Sequence, residues 1–125
     1  MADAKRIYEL MVLTAWTDGK VGPAEALAVH KIVVENGFGE LAAGGELAKQ
    51  IKARIDEKGV EACVRETAQG LTERADRELA FRSCVRVLDA DGELGMEEAE
   101  VLNTLQEIFA FSGDDVKRLM AKLDA

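Results

Sequence analysis

The sequence predicts an all-α fold, a compact bundle of about seven helices forming one domain over residues 1–125. Three observations predict it. Ala, Leu, Glu, Lys and Arg are abundant, with one proline and few aromatic residues, a composition that favours helix. β-branched residues never form an alternating run bounded by turn signals. Apolar residues recur at three- and four-residue spacing between short glycine-containing breaks. A chain of 125 residues can bury a core without disulfides, and 48% hydrophobic with 32% charged residues is the balance of a folded protein.

The elements follow in order. A first helix is predicted from about Ala4 to Thr17, with Ile7, Leu10, Met11, Thr14 and Ala15 along one stripe, and Asp18-Gly19 breaks it. Gly22-Pro23 opens the second, because proline at the first helical position gives up only a donor that the helix does not use. Val29, Ile32 and Val33 face inward, and Asn36-Gly37 is a left-handed stop. Residues 37–45 hold four glycines and read as a loop; no strand precedes it and no Gly-Lys-Ser/Thr follows, so it lacks the marks of a phosphate-binding loop. Leu47, Ile51 and Ile55 mark a third helix. After Gly59 comes a short fourth helix with Val60, Cys63, Val64 and Thr67. Beyond the break at residues 70–72, a fifth helix carries Phe81, Cys84, Val85 and Leu88, and Asp89-Ala90-Asp91-Gly92 ends it. Gly95 opens the sixth, with Val101, Leu102, Leu105, Ile108 and Phe109 inside. Ser112 caps the seventh, Asp115 sits at its third position, and Phe111 is placed to staple onto Val116.

Charge and cysteine content narrow the function classes. A net charge of −8 argues against a nucleic-acid backbone or an anionic membrane as partner, and suits cations or basic protein surfaces. Cys63 and Cys84 stand singly on predicted helices, as expected of buried, reduced thiols in a cytoplasmic protein. The opening Met-Ala-Asp-Ala-Lys-Arg leads into an amphipathic stretch and not a signal-peptide core, and no stretch approaches the ~20 apolar residues of a membrane span. There is no Gly-x-Ser-x-Gly, no Cys–His motif and no His-rich metal site, so no catalytic residue is assigned and the chain is expected not to be an enzyme. His30, the single histidine, reads as a surface helix residue, and Trp16 as packing across the mouth of the first turn. Arg74, Arg77, Arg82 and Arg86, mixed with Glu73, Asp76 and Glu78, read as a salt-bridged face.

The most informative feature is internal. Residues 18–26, Asp-Gly-Lys-Val-Gly-Pro-Ala-Glu-Ala, align with residues 91–99, Asp-Gly-Glu-Leu-Gly-Met-Glu-Glu-Ala. The preceding helices agree in register, Tyr8 falling on Phe81 and Val12 on Val85, which suggests a duplicated helix–Asp-Gly turn–helix unit. Duplicated hairpins tend to pack about a pseudo-two-fold axis, which would bring both turns to one end of the bundle. Asp89, Asp91, Gly92 and Glu98 have the spacing of the third, fifth, sixth and twelfth positions of an EF-hand calcium loop, and Leu94 the eighth. The first position is Val87, however, and the earlier copy has Thr14 and Trp16 at its first and third. Counting oxygens gives about five for the second loop and about four for the first, short of the six to eight that calcium takes. The same residues also serve helix punctuation: Asp-Gly ends helices, and Glu25 and Glu98 sit three residues into new ones, where a carboxylate caps an amide and favours the dipole. Both readings stand on the residues alone.

A helix, then Asp-Gly-x-Val/Leu-x-x-x-Glu, then a second helix, repeated after about seventy residues, resembles the TerB-like (tellurite-resistance) family, over nearly the whole chain from Ile7 to Leu123. The carrying residues are Trp16-Thr17-Asp18-Gly19-Lys20-Val21 with Glu25, and Asp89-Ala90-Asp91-Gly92-Glu93-Leu94 with Glu98. The resemblance implies an all-helical module of bacterial stress responses, tellurite resistance among them, working with other proteins of such an assembly. It implies a bound divalent cation held by Asp18, Glu25, Asp91 and Glu98, to which the loop spacing adds Asp89. Oxygen donors favour Ca²⁺ or Mg²⁺ over Zn²⁺. Gly22 and Gly95 stand where such motifs commonly have Ser or Thr, which removes a side-chain cap and a hydroxyl ligand, and Lys20 opposes a cation in the first turn. The alternative reading is a metal-independent protein-interaction or scaffold domain.

Overall fold

The computed structural model describes residues 3–17, 19, 21–90, 92 and 95–121. The observed elements are α1 (Ala4–Ala15), α2 (Pro23–Glu35), α3 (Gly39–Ala42), a 3₁₀ turn (Ala43–Gly45), α4 (Glu46–Lys58), α5 (Val60–Gln69), α6 (Arg74–Leu88), α7 (Met96–Phe109) and α8 (Gly113–Ala121). The described residues contain no strand, so the all-α prediction holds. The addition is α3: the glycine-rich stretch read as loop contains one helical turn. Phe38, just before it, is buried, and its amide bonds to the Val33 carbonyl at 2.9 Å, pinning the chain against the end of α2. None of the helices described is long and apolar enough to cross a membrane.

α1 is the axis of the molecule. Every residue from Ile7 to Ala15 is buried, because α2, α4, α5 and α6 all pack on it. The single stripe expected from the sequence is therefore too narrow: a helix enclosed by neighbours buries its polar positions too. Glu9 is one of them. Its carboxylate pairs with Arg54 of α4, whose guanidinium also reaches the Thr67 hydroxyl at 3.2 Å, so the buried charge has a counter-ion. Thr14 returns its hydroxyl to the Met11 carbonyl at 2.8 Å.

α1 and α6 run parallel. At their starts the Asp3 amide donates to buried Asp76 at 3.0 Å, and towards their ends the Thr14 hydroxyl meets the Cys84 thiol. Both helices thus end at the same end of the bundle, and both Asp-Gly segments depart from there. The core is one cluster, in which Phe111 meets Phe81 edge-on at 5.6 Å. Cys63 and Cys84 are buried and unbonded, and full burial pushes the Cys84 thiol up to about 12, a shift that Thr14 partly offsets. α8 begins with the expected reciprocal cap: the Asp115 amide donates to Ser112 Oγ at 3.1 Å and the Ser112 amide to Asp115 at 2.9 Å.

The arginine face is salt-bridged only in part: among the described residues neither Arg77 nor Arg82 pairs with a carboxylate, and Arg82 Nε is buried without a hydrogen-bond partner. Arg74 pairs with Glu78 and with Asp115 of α8, Arg86 with Glu35 of α2, and Arg77 Nε donates to the Leu71 carbonyl at 2.7 Å. His30 is exposed on α2. Trp16 is partly buried, with Lys52 Nζ 5.2 Å from its ring centroid.

Candidate metal centre

α1 stops two residues before the sequence suggests. The Trp16 amide bonds back to the carbonyls of both Val12 and Leu13, and Thr17 to Thr14, so the last turn tightens. The chain then reverses through Gly19, whose amide donates to the Trp16 carbonyl at 2.9 Å with φ +88°. At the end of α6 the pattern repeats. Ala90 bonds to Val87, and Gly92 donates to the Asp89 carbonyl at 3.0 Å with φ +79°. Left-handed backbone at both positions explains the glycines, since a Cβ there is strained.

The next helix opens identically in both places. Gly22 and Gly95 are extended, at φ −76°, ψ 162° and φ −79°, ψ 173°. The Gly22 amide donates to Glu25 Oε1 at 3.2 Å and the Gly95 amide to Glu98 Oε1 at 3.1 Å. Glycine has no side-chain oxygen, so only the glutamate half of a capping box forms. A Cβ at either glycine would lie 3.2–3.3 Å from that same oxygen.

Of the expected ligands, Asp18 and Asp91 lie outside the described residues. Glu25 is buried at 6% exposure, Glu98 is half-buried, and Asp89 is exposed at the C-cap of α6. All three are hard oxygen donors, the right type for Ca²⁺ or Mg²⁺. Among the described residues no three acidic, histidine or cysteine side chains converge to hold an ion. The donor chemistry fits, and a full ligand set at these turns has to draw on Asp18 and Asp91.

Two clefts accompany the turns, and the sequence did not announce them. Thr17, leaving α1, lines one with Glu97, Glu100, Val101 and Thr104 of α7. Ala90, leaving α6, lines the other with Ala24, Leu27, Ala28 and Lys31 of α2. Position for position these are the aligned residues of the two units, so the residue leaving the first helix of each unit lies beside the second helix of the other. No local pattern marks the clefts, because their walls come from opposite units and the aligned lining residues differ in type.

The model of the family described as tellurite resistance protein TerB matches residues 4–121. The chain belongs to the TerB family. The TerB match begins with the first residue of α1 and ends with the last of α8, so both turns and both clefts fall within it. Comparison with curated proteins and with solved structures finds no match.

Proposed function

We infer that this TerB-family chain is a non-enzymatic module that binds a hard divalent cation, Ca²⁺ or Mg²⁺ in preference to Zn²⁺, in a cytoplasmic bacterial stress-response or tellurite-resistance system. One observation carries the reading. Two turns with matching backbone geometry leave the same end of the bundle, each followed by a glutamate whose carboxylate is held against the chain at 3.1–3.2 Å. Glu98 places one oxygen on the Gly95 amide, and the second remains available to a cation. Positioned carboxylates lose little freedom on binding an ion, and oxygen ligands select hard cations. The second turn, with Asp89, Asp91 and Glu98, is the stronger half of such a site; Lys20 weakens the first.

Calorimetric titration of chelator-stripped protein with Ca²⁺, Mg²⁺ and Zn²⁺, beside an Asp91→Ala/Glu98→Ala variant, tests this. Saturable heat with Ca²⁺ or Mg²⁺ that the variant loses while keeping its helicity is the expected result. A variant that responds as the wild type does would rule these ligands out.

The runner-up is a metal-independent interaction domain. The capping bonds of Glu25 and Glu98 support it, because helix initiation alone accounts for their positions. Partners retained from a bacterial lysate equally with and without chelator would favour it.

A further inference from the structure

The two clefts beside the turns differ in charge. The one between α5 and α7 has a volume of about 210 Å³. Val64 and Val101 are buried in its base, with Val60 partly so. Glu61, Glu97 and Glu100 are exposed around them. Glu61 pairs with Arg65 at 3.4 Å in solvent, while no Lys or Arg among the described residues pairs with Glu97 or Glu100. In the matching cleft on α2 the positions of Glu97 and Glu100 are held by Ala24 and Leu27, and the lining charges are Lys31 and Arg86, the latter paired with Glu35. Helix initiation does not require these glutamates, since Ala24 and Leu27 occupy the same positions on α2.

We propose that the cleft between α5 and α7 is a docking groove for a basic amphipathic helix of a partner protein. Aliphatic side chains of that helix rest on Val60, Val64 and Val101, and its Lys or Arg side chains meet Glu61, Glu97 and Glu100. An apolar base with a one-signed rim selects this chemistry: apolar contact gives affinity, while the rim attracts cations and repels acidic helices. The aliphatic stem of Lys or Arg suits both parts, lying along the valines with its charge at the carboxylates. The proposal gives the interaction reading a surface, and it is independent of ion binding at the turns.

The test uses the full chain in EDTA, so that metal plays no part. A fluorescein-labelled helical peptide with Leu and Lys at i, i+4 spacing is the probe, with a Lys→Glu twin as control. The wild type is expected to bind the basic peptide and not its twin, with methyl resonances of Val60, Val64 and Val101 shifting most. Glu97→Gln/Glu100→Gln should weaken binding about tenfold, whereas Glu40→Gln/Glu46→Gln, an equal charge change at α3 and the start of α4, should leave it within about twofold. Equal weakening by both pairs, or shifts spread over the whole surface, would reduce the effect to net charge and overturn the groove. The valine shifts are read on unmutated protein, so they decide even if a variant folds poorly. Lysate partners that persist in chelator but still bind the Glu97→Gln/Glu100→Gln variant would overturn the groove while leaving the interaction reading in place.

Discussion

In the first unit Gly19 stands at φ +88° and Glu25 folds onto the Gly22 amide; in the second, Gly92 stands at φ +79° and Glu98 folds onto Gly95. Around that shared backbone the side chains diverge. Both α1 and α6 pack against four helices, but α1 buries every residue from Ile7 to Ala15 while α6 leaves Arg82 and Arg86 half-buried. Glu9, buried and paired with Arg54, aligns with Arg82, whose buried Nε has no hydrogen-bond partner among the described residues. Pro23 opens α2, while at the same place on α7 Met96 is 84% exposed. The difference teaches which residues fix the turn and which are free to vary. Two glycines and a glutamate set the path of the backbone, and the positions around them let α1 bury its whole circumference while α6, equally part of the core, keeps two arginines half-buried.

The largest test of this division compares aligned residues of α1 and α6. Leu13 is fully buried, and its counterpart Arg86 pairs with Glu35 in solvent, which holds the Glu35 carboxyl below its ordinary range. Leu13→Ala should lower unfolding stability by about 3 kcal/mol through lost burial and a cavity. Arg86→Ala should leave the urea midpoint nearly unchanged, because exposed ion pairs contribute little. Similar losses at both sites would mean that the half-buried arginine positions of α6 matter as much to stability as the enclosed positions of α1.

A smaller contrast is expected at the capping glutamates. Removing either leaves an N-cap amide without its carboxylate partner. At the buried Glu25 water cannot readily replace it, whereas at Glu98 it can. Glu25→Ala should therefore cost about 2 kcal/mol and Glu98→Ala about 1 kcal/mol by chemical denaturation. The opposite ranking would show that the burial of the first turn does not govern its stability.

Much of this was legible in the sequence. Helix periods, Gly22-Pro23, the Ser112–Asp115 cap and both glutamates announced themselves, because capping and left-handed turns impose residue types locally. What stayed hidden depends on tertiary neighbours. Nothing in the pattern around Glu9 reveals its burial, since the Arg54 that makes it tolerable lies on another helix. Ala110 ends α7 at φ +60°, a place that glycine would normally mark, so the stop carries no sequence signal. α3 was missed because four glycines outweigh one helical turn that buried Phe38 anchors from outside. The clefts were hidden for the same reason: their walls come from opposite units, and only the packing of parallel α1 and α6 brings them together.

Titration offers the finest contrast between the units. Met11 of α1 aligns with Cys84 of α6, and both are fully buried, so only the second unit carries an ionisable group at this level of the core. Burial pushes the Cys84 thiol from 9.0 up to about 12. Below pH 9 the thiol is protonated in folded and unfolded chains alike, and its contribution is constant. Between pH 9 and about 12 the unfolded chain releases this proton while the folded chain holds it, so unfolding is progressively favoured as pH rises. At pH 10 the loss amounts to about 1.4 kcal/mol, one pKa unit's worth. Denaturation of wild type and Cys84→Ala at pH 7.5 and pH 10 isolates it, because every other ionisable group is common to both proteins. Cys84→Ala starts less stable, and its deficit should narrow by about that amount at pH 10. A constant deficit would mean that solvent reaches the thiol, and that the second unit is looser at the level of Cys84 than the first is at Met11.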